Sequence, residues 1–355
     1  MASSWENNVR RVVPYTPGEQ PKDSGIIKLN TNENPYPPSP KVLEALKAFD
    51  YKRMKLYPDT NAAPITEALS EFYRVKPEQI FVGVGSDDVL SIAFLTFFNS
   101  DKPVLFPDIT YSFYDVWADV YRIPYVTKPL TEDFKINPED YKCENGGIIF
   151  PNPNAPTGVD ESLDMIGDIV KANPDSVVII DEAYIDFGGK SCLQLTEKYE
   201  NLLVVQTFSK SRSMAGMRIG FAMGNEKLIK YMNDVKFSIN SYTMNSVTQI
   251  CGAEAVKDKQ YFLETTAKII ETREYSKARL KELGFEFADS KSNFIFAKHS
   301  TCGADYIFEE LKKQKIFVRH WNKPRISDYL RITIGTPVEM DRLFEALVEI
   351  LKKGN

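Results

Sequence analysis

The chain has 355 residues, which at roughly 150 residues per domain predicts two or three structural units with sizeable hydrophobic cores. Hydrophobic residues make up 43% of it and charged residues 26%, a composition typical of a globular protein rather than a disordered or fibrous one. The net charge is -5 and the sequence has no dense basic run, so nucleic-acid binding is disfavoured.

Cysteine and histidine usage argues against two further classes of protein. The cysteines at 143, 192, 251 and 302 are too widely spaced for a Cys-x-x-Cys metal site or a compact disulfide framework, so we expect reduced thiols. With only two histidines, neither a zinc site nor a catalytic triad is expected, and no metal ligands are predicted.

Residues 1–13 show no apolar signal segment, and the apolar run 92–98 is too short to cross a bilayer. The sequence therefore predicts a cytoplasmic protein without a membrane partner.

The predicted elements begin after residues 1–40, an arm that ends in a proline-rich loop. Between residues 41 and 250, short apolar runs alternate with amphipathic stretches, the pattern of a mostly parallel sheet covered by helices. The predicted strands are 80–82, 104–106, 148–150, 177–180, 202–206 and 219–223, and the predicted helices are 62–73, 87–98, 112–121 and 163–172.

The pattern changes beyond residue 250. A long helix is predicted at 261–283, followed by strands at 294–297, 316–319 and 330–334 and by a terminal helix. We therefore expect an α/β fold, with a large domain at 41–250 and a smaller α+β domain at 251–355 that the arm helps to complete.

Polar residues follow directly after two predicted strands, where parallel sheets bind their ligands. Asp181 comes after strand 177–180, and Tyr184 follows shortly. By itself such an acid is more often a helix cap or a turn residue. Ser209 and Lys210 come after strand 202–206, and Arg218 precedes the next apolar run. A lysine in this position is usually solvated, but hydroxyls and an arginine beside it together predict an anion pocket.

A third strand end leads into a helix. Gly83, Gly85, Ser86 and Asp87 lie where helix 87–98 begins, and the free N–H groups of a helix start bind anions. The spacing matches neither Gly-x-Gly-x-x-Gly nor a P-loop, so a nucleotide site is not supported and a plain capped helix stays an alternative. The fourth strand end is the rigid polar turn 151–158, which taken alone is equally typical of a loop.

Together these strand ends supply the partners that pyridoxal phosphate needs. Lys210 offers an amine for a Schiff base, and Asp181 offers an acid for the pyridinium nitrogen. A site for the phosphate is offered by the glycine and serine residues at the helix start together with Arg218. The carboxylate keeps the ring nitrogen protonated, so the ring can withdraw electrons from the carbon that loses its proton, and the freed lysine can carry that proton. The residues themselves predict a pyridoxal phosphate enzyme.

The order of these motifs resembles that of the fold-type I pyridoxal phosphate aminotransferases. More narrowly, the segments Leu-Asn-Thr-Asn-Glu-Asn-Pro at 29–35, Thr-Phe-Ser-Lys at 207–210, Ala-Gly-Met-Arg at 215–218 and Leu-Arg-Ile-Thr at 330–333 are similar to the histidinol-phosphate aminotransferase family. The similarity extends from about residue 13 to residue 351. It implies a mostly parallel seven-stranded sheet in the large domain, a homodimer, and amino transfer between L-histidinol phosphate and 2-oxoglutarate, giving imidazole acetol phosphate and glutamate.

The resemblance also implies roles for individual side chains. Lys210 would form the Schiff base and Asp181 would pair with the ring nitrogen, while Tyr184 would hydrogen-bond the 3-hydroxyl oxygen and Tyr111 would stack on the ring. The cofactor phosphate would be held by Gly85, Ser86, Asp87, Ser209 and Arg218, and by Tyr57 from the other subunit. The substrate would be bound by Tyr15, Asn32, Arg319 and Arg331.

One position departs from the family pattern. The turn usually has Asn directly before Pro-Thr-Gly, and here that residue is Ala155. The hydrogen bond that this Asn gives to the 3-hydroxyl oxygen is then lost or supplied by Asn154 or Tyr184. The sequence therefore predicts Asn154 as a cofactor-binding residue.

Three other functions stay open at this point. An aromatic amino acid aminotransferase and a threonine-phosphate decarboxylase have the same build, and a regulator or binding protein could keep the fold without the chemistry. The presence of Lys210, Asp181 and Arg218, and the lack of an added winged-helix segment, argue against the regulator.

Overall fold

The computed structural model describes residues 4–22 and 24–354. Its helices are α1 Pro40–Ala48, α2 Ala63–Tyr73, α3 Ser86–Phe97, α4 Tyr114–Tyr121, α5 Leu163–Ala172, α6 Glu226–Ile239, α7 Ser246–Lys257, α8 Lys259–Glu282, α9 Ala304–Lys313 and α10 Pro337–Gly354. Its strands are β1 Ile27–Lys28, β2 Ile80–Gly83, β3 Val104–Pro107, β4 Tyr125–Lys128, β5 Gly147–Pro151, β6 Val178–Asp181, β7 Leu202–Thr207, β8 Gly220–Gly224, β9 Phe285–Phe287, β10 Phe294–His299, β11 Ile316–Phe317, β12 Arg319–His320 and β13 Leu330–Thr333.

The largest sheet has seven strands in the order β2-β8-β7-β6-β5-β3-β4. Its strands run parallel except β8, which is antiparallel to both of its neighbours. Successive residues of its central strands, such as Ile179 and Ile180 of β6, belong to different hydrophobic clusters. The sheet is therefore covered on both faces, which explains why its strands are continuous apolar runs rather than alternating ones.

Several helices begin where a short polar side chain caps them. Ser162 accepts a hydrogen bond from the backbone of Met165 at the start of α5, and Asn245 does the same for Thr248 at the start of α7. Such caps satisfy N–H groups that a helix start leaves without intrahelical partners. They fix the residues at which α5 and α7 begin.

The C-terminal part is an antiparallel sheet in the order β12-β13-β10-β9, packed with α8, α9 and α10 into a separate hydrophobic cluster. The arm joins this part, because β1 pairs in parallel with β11. The predicted strand 316–319 is two strands, since Ile316–Phe317 pairs with the arm and Arg319–His320 with β13.

Seven elements were not among the predicted helices and strands: α1, α6, α7, α9, β1, β4 and β9. β4 is a short exposed edge strand, and β9 has three residues, so neither carries a clear apolar period. Buried residues of α7, including Cys251 and Val256, belong to the core beneath the large sheet. We therefore propose that the large domain ends near residue 258 rather than 250, and the division into arm and two domains otherwise stays a prediction.

The C-terminal core gives a first testable prediction. Ile332 of β13 is fully buried in that cluster, so Ile332→Ala should lower the free energy of unfolding by about 2–5 kcal/mol through lost burial and an unfilled cavity. Urea denaturation measures this. Val338→Ala is the matched control, because Val338 is 71% exposed and its loss should change stability by no more than about 0.5 kcal/mol. Equal effects of the two substitutions would contradict the assigned core.

Candidate active site

Two adjoining cavities lie where the strands of the large sheet end. The outer one has a volume of about 400 Å³ and the inner one about 170 Å³. Both are lined by Thr31, Tyr111, Ala155, Tyr184 and Lys210. The carboxyl ends of parallel strands converge there, as the predicted ligand position requires.

Lys210 follows β7 and its amine reaches the shared wall of the two cavities. The Nζ atom donates a hydrogen bond to the carbonyl oxygen of Thr31 at 3.1 Å. Among residues 4–22 and 24–354, no carboxylate forms an ion pair with it. The lysine is thus held by one neutral acceptor, and its amine can be released for chemistry.

Asp181 ends β6 and lines the inner cavity. Its Oδ2 accepts a hydrogen bond from the Tyr114 hydroxyl at 3.1 Å, and its Oδ1 accepts one from the backbone N–H of Ala183 at 3.1 Å. Burial raises the pKa of this carboxyl to about 6 despite the hydrogen bonds, which act in the opposite direction. A buried acid without an ion-pair partner in the described chain is a suitable site for a positively charged ring nitrogen.

The start of α3 forms the far end of the inner cavity. Gly85 is its N-cap with φ 88°, and Ser86, Asp87, Ser209 and Arg218 line the cavity beside it. A side chain at Gly85 would meet the Arg218 guanidinium at 2.5 Å and displace it, and the backbone angle itself favours glycine. The helix start and the guanidinium together make an anion site that fits a phosphate.

Gly220 of β8 keeps this anion site in place. A Cβ atom added there would lie 2.3 Å from the backbone of Gly85 and Ser86. The loop can therefore lie against β8 only because the strand has no side chain at this point. The sequence motif did not single out Gly220, and its role follows from packing alone.

Tyr111 lies between the two cavities. Its hydroxyl donates to Asp87 Oδ1 at 2.7 Å, while Asp87 Oδ2 accepts from Arg218 Nη2 at 3.1 Å. Burial and the nearby Asp87 raise the pKa of Tyr111, so it stays a neutral donor. The carboxylate thereby connects the predicted ring-stacking residue with the predicted phosphate-binding arginine.

Arg331 of β13 lines the outer cavity without a carboxylate partner in the described residues. Its Nη2 donates to the carbonyl oxygen of Asn30 at 3.0 Å, and its guanidinium lies 5.1 Å from the Trp321 ring and 5.3 Å from the Phe294 ring. Burial lowers its pKa, but an arginine this basic stays charged. The buried Nε atom has no hydrogen-bond partner and is available to an anion.

Arg319 and Tyr15 occupy the mouth of the outer cavity. The Arg319 guanidinium lies 5.3 Å from the Trp321 ring, and the Tyr15 ring stacks on Phe113 at 4.2 Å. Trp321 therefore contacts both predicted substrate arginines. The sequence analysis missed it because an isolated tryptophan gives no chemical signal.

A cross-connection between Asp108 and Arg325 was also missed. Asp108 directly follows β3, and its carboxylate accepts a hydrogen bond from Arg325 Nη1 at 2.9 Å. The second Arg325 nitrogen donates to the carbonyl oxygens of Leu130 and Thr131. Asp108 could have been found by the strand-end rule, whereas Arg325 lies in a loop between β12 and β13 that carries no pattern.

Two predicted residues are not brought to the cavities. The Asn154 amide nitrogen donates to the carbonyl oxygen of Ile109 and to Thr157 Oγ1, and Asn154 lines neither cavity, whereas Ala155 lines both. Tyr57 is 81% exposed and stacks on Tyr242 at 4.4 Å. The cofactor role of Asn154 finds no support in this geometry, because both amide hydrogens are already donated.

Comparison with known proteins identifies the family. The model of the family described as "aminotransferase class I and II" matches residues 24–347. The chain belongs to the class I and II aminotransferases. It is 51% identical over 99% of its length to the histidinol-phosphate aminotransferase of Lactococcus lactis subsp. lactis, covering 98% of that protein. It is 52% identical to histidinol-phosphate aminotransferase 1 of Hydrogenovibrio crunogenus, over 100% of both chains.

Solved structures share the fold. The histidinol-phosphate aminotransferase of Clostridium acetobutylicum has a TM-score of 0.85 at 21% identity, with 92% of this chain and 100% of that chain covered. The Sinorhizobium meliloti histidinol-phosphate aminotransferase, solved in complex with pyridoxal 5'-phosphate, has a TM-score of 0.84 at 22% identity, with 92% and 91% covered. The family and the fold class predicted from the sequence are therefore confirmed.

The close approach at Gly220 generates the prediction for this site. Gly220→Ala should displace the Gly85–Ser86 backbone and weaken binding of the predicted cofactor, pyridoxal phosphate, by at least about ten-fold, equivalent to 1.4 kcal/mol. Equilibrium dialysis against pyridoxal phosphate measures this. Gly216→Ala is the control, since a Cβ there meets nothing within 4 Å and should leave the affinity unchanged. Unchanged affinity in Gly220→Ala would mean that the loop does not form the phosphate site.

Proposed function

We propose that this protein is a pyridoxal phosphate-dependent histidinol-phosphate aminotransferase of histidine biosynthesis. It exchanges an amino group between L-histidinol phosphate and 2-oxoglutarate, giving imidazole acetol phosphate and glutamate. The observation that carries the proposal is that the Lys210 amine and the buried Asp181 carboxyl line one cavity and that neither has an ion-pair partner among the described residues. The chain is also about half identical to proteins of that name over its full length.

The inner cavity fits the cofactor. Asp181 would hold the ring nitrogen in its protonated form, and Ser86, Ser209 and Arg218 would hold the phosphate. When bound, pyridoxal phosphate supplies an electron-withdrawing ring that stabilises the negative charge left when a carbon beside nitrogen loses its proton. The Lys210 amine is placed to accept that proton at Nζ and to return it.

The outer cavity favours substrates with two negative charges. Its cationic lining residues are Lys210, Arg319, Lys323, Arg325 and Arg331, whereas Asp108 is its one acidic lining residue among those described and is ion-paired with Arg325. The phosphate of histidinol phosphate and the side-chain carboxylate of glutamate both suit this charge distribution. Arg331 and Arg319, which both lie close to the Trp321 ring, would bind these groups.

The partner subunit is argued from exposed apolar surface. Large exposed apolar residues concentrate in α1, in the turn 51–57 and at the end of α6 with the residues after it: Leu43, Leu46, Tyr51, Met54, Leu56, Tyr57, Phe237, Ile239 and Tyr242. Exposed apolar clusters of this kind are typical of interfaces. The occupant we propose is a second copy of the chain, in which Tyr57 reaches the partner's cofactor phosphate.

No described helix combines the length and apolar character that crossing a bilayer requires, and the described residues hold no cluster of three or more His, Cys, Asp or Glu suited to a metal ion. The cytoplasmic location stays a prediction.

Turnover with competing donors tests the activity. With 2-oxoglutarate as acceptor, kcat/KM for histidinol phosphate should exceed that for phenylalanine by at least about ten-fold, because the single carboxylate of phenylalanine has less negative charge for the arginines than a phosphate group has. A coupled glutamate assay measures both, and Lys210→Ala is the inactive control. A preference for phenylalanine would favour the aromatic aminotransferase, and release of carbon dioxide from threonine phosphate would favour the decarboxylase.

A mixed dimer tests the role of Tyr57. Tyr57→Phe removes one hydroxyl and should weaken pyridoxal phosphate binding by about ten-fold or more, since a hydrogen bond to a charged group contributes about 1.5–3 kcal/mol. Pairing a Tyr57→Phe chain with a Lys210→Ala chain restores one site that has both Lys210 and the partner's tyrosine. That site should regain the affinity of the unaltered dimer. Wild-type affinity in the Tyr57→Phe homodimer, or no recovery in the mixed dimer, would contradict the proposal.

A further inference from the structure

A buried asparagine of the arm contacts a predicted cofactor residue. Asn32 is buried, with φ 57°, and its Nδ2 lies 2.9 Å from the hydroxyl oxygen of Tyr184. The Asn293 side chain donates to the Asn32 carbonyl oxygen at 3.0 Å. The left-handed backbone angle is one that asparagine tolerates better than most residues. The arm thus brings this amide next to Tyr184 by tertiary contacts with the C-terminal part.

Thr333 of β13 fixes which way the amide points. The Asn32 backbone N–H donates to Thr333 Oγ1 at 3.1 Å, and the Thr333 hydroxyl donates to Asn32 Oδ1 at 2.9 Å. With its oxygen engaged by Thr333, the amide presents its NH₂ group to Tyr184. A reversed amide would give Thr333 Oγ1 two N–H donors and leave its hydroxyl hydrogen without this acceptor.

Because the Tyr184 hydroxyl oxygen accepts a hydrogen bond from Asn32, its own hydrogen is left to donate. Within the described chain this hydrogen has no acceptor. Tyr184 lines both cavities, so this hydrogen is available to a ligand there. A hydroxyl that accepts one hydrogen bond is a stronger donor in the next, because the bonds polarise one another.

The turn residues 154 and 155 do not supply this donor. Ala155 lines both cavities with a methyl group, and the two hydrogens of the Asn154 amide go to Ile109 and Thr157. Of Asn154, Ala155 and Tyr184, it is therefore Tyr184 that has a hydrogen to give to a ligand.

We propose that Asn32 and Thr333 are positioning residues that hold the Tyr184 hydroxyl as a donor to the anionic 3-oxygen of pyridoxal phosphate. Asn32 was predicted to bind the substrate, and this inference assigns it a different role that rests on the proposed cofactor. The charged and titratable groups around Tyr184 include Lys210, whose Nζ lies 5.8 Å from its ring, and Arg331, Tyr111 and Tyr114. The inner cavity that Tyr184 lines also has the charged residues Glu33, Asp87, Asp181 and Arg218. Asn32 and Thr333 themselves carry no charge.

The test follows the pH titration of the visible absorbance of the bound cofactor in the holoenzyme. A donor to the 3-oxygen stabilises its anionic form, so weakening the donor should move the midpoint to higher pH. Asn32→Ala removes the amide, and Thr333→Val frees it to rotate. Each should raise the midpoint by roughly half a unit to one unit. Thr272→Val is the matched control, because the Thr272 hydroxyl donates to Lys268 within α8.

The Tyr184→Phe background separates this role from a direct one. If Asn32 and Thr333 act through the Tyr184 hydroxyl, adding either substitution to Tyr184→Phe should leave the midpoint of that variant unchanged. Shifts that persist undiminished in that background, or a midpoint that moves in neither single variant, would overturn the proposal. A thermal melt of each holoenzyme checks folding, and Thr333→Val carries the test if the left-handed position does not accept alanine. Wild-type protein without a cofactor band would instead refute the proposed function and this role with it.

Discussion

Asp181 of β6 lies opposite Val205 of β7 in the parallel pairing of the two strands, and the remaining geometry of the site depends on this register. Because the strands run the same way, the acid at the end of one and the lysine just beyond the end of the other face a common cavity. A shift by one residue would turn Asp181 to the other face of the sheet. The parallel pairing therefore sets the separation between the group that holds the ring nitrogen and the group that moves the proton.

A buried polar network behind the cavity stabilises the ends of these strands. Glu182 accepts hydrogen bonds from Ser191 Oγ, the Cys192 backbone and Gln206 Nε2, and Gln206 accepts one from the Tyr73 hydroxyl. Burial raises the pKa of Glu182 to about 7, because it disfavours the charged form. The hydrogen bonds to Glu182 stabilise the charged form and so act in the opposite direction. The residue after Asp181 and a residue of β7 are thereby tied together on the side away from the ligand.

The substrate side is assembled differently. The arm, the loop after β3 and the C-terminal sheet each contribute one wall to the outer cavity, through Asn30, Asp108 and Arg331. These segments are joined by the pairing of β1 with β11 and by the Asp108 and Arg325 ion pair. Substrate recognition thus depends on contacts between distant parts of the chain, whereas cofactor binding depends mainly on neighbouring strands of one sheet.

The sequence by itself determined the central strands of the large sheet and the residues at their ends. Continuous apolar runs indicate strands buried on both faces, and ligand groups are expected directly after such strands. Asp181, Lys210 and Arg218 were therefore predicted from local pattern, and all three line the inner cavity. Strands β4 and β9 were not predicted for the same reason. β4 is exposed and β9 is short, so neither has the apolar periodicity from which a strand is predicted.

Only the tertiary structure decided which side chains meet across the chain. Such contacts are those of Asn32 with Thr333 and Tyr184, of Arg331 with Trp321, and of Gly220 with the Gly85–Ser86 backbone, and they join residues that are not neighbours in sequence. No local periodicity encodes such contacts, because they arise when the arm and the C-terminal sheet pack against the large domain. The same packing turned Asn154 toward the backbone of Ile109 and left Ala155 facing the cavities.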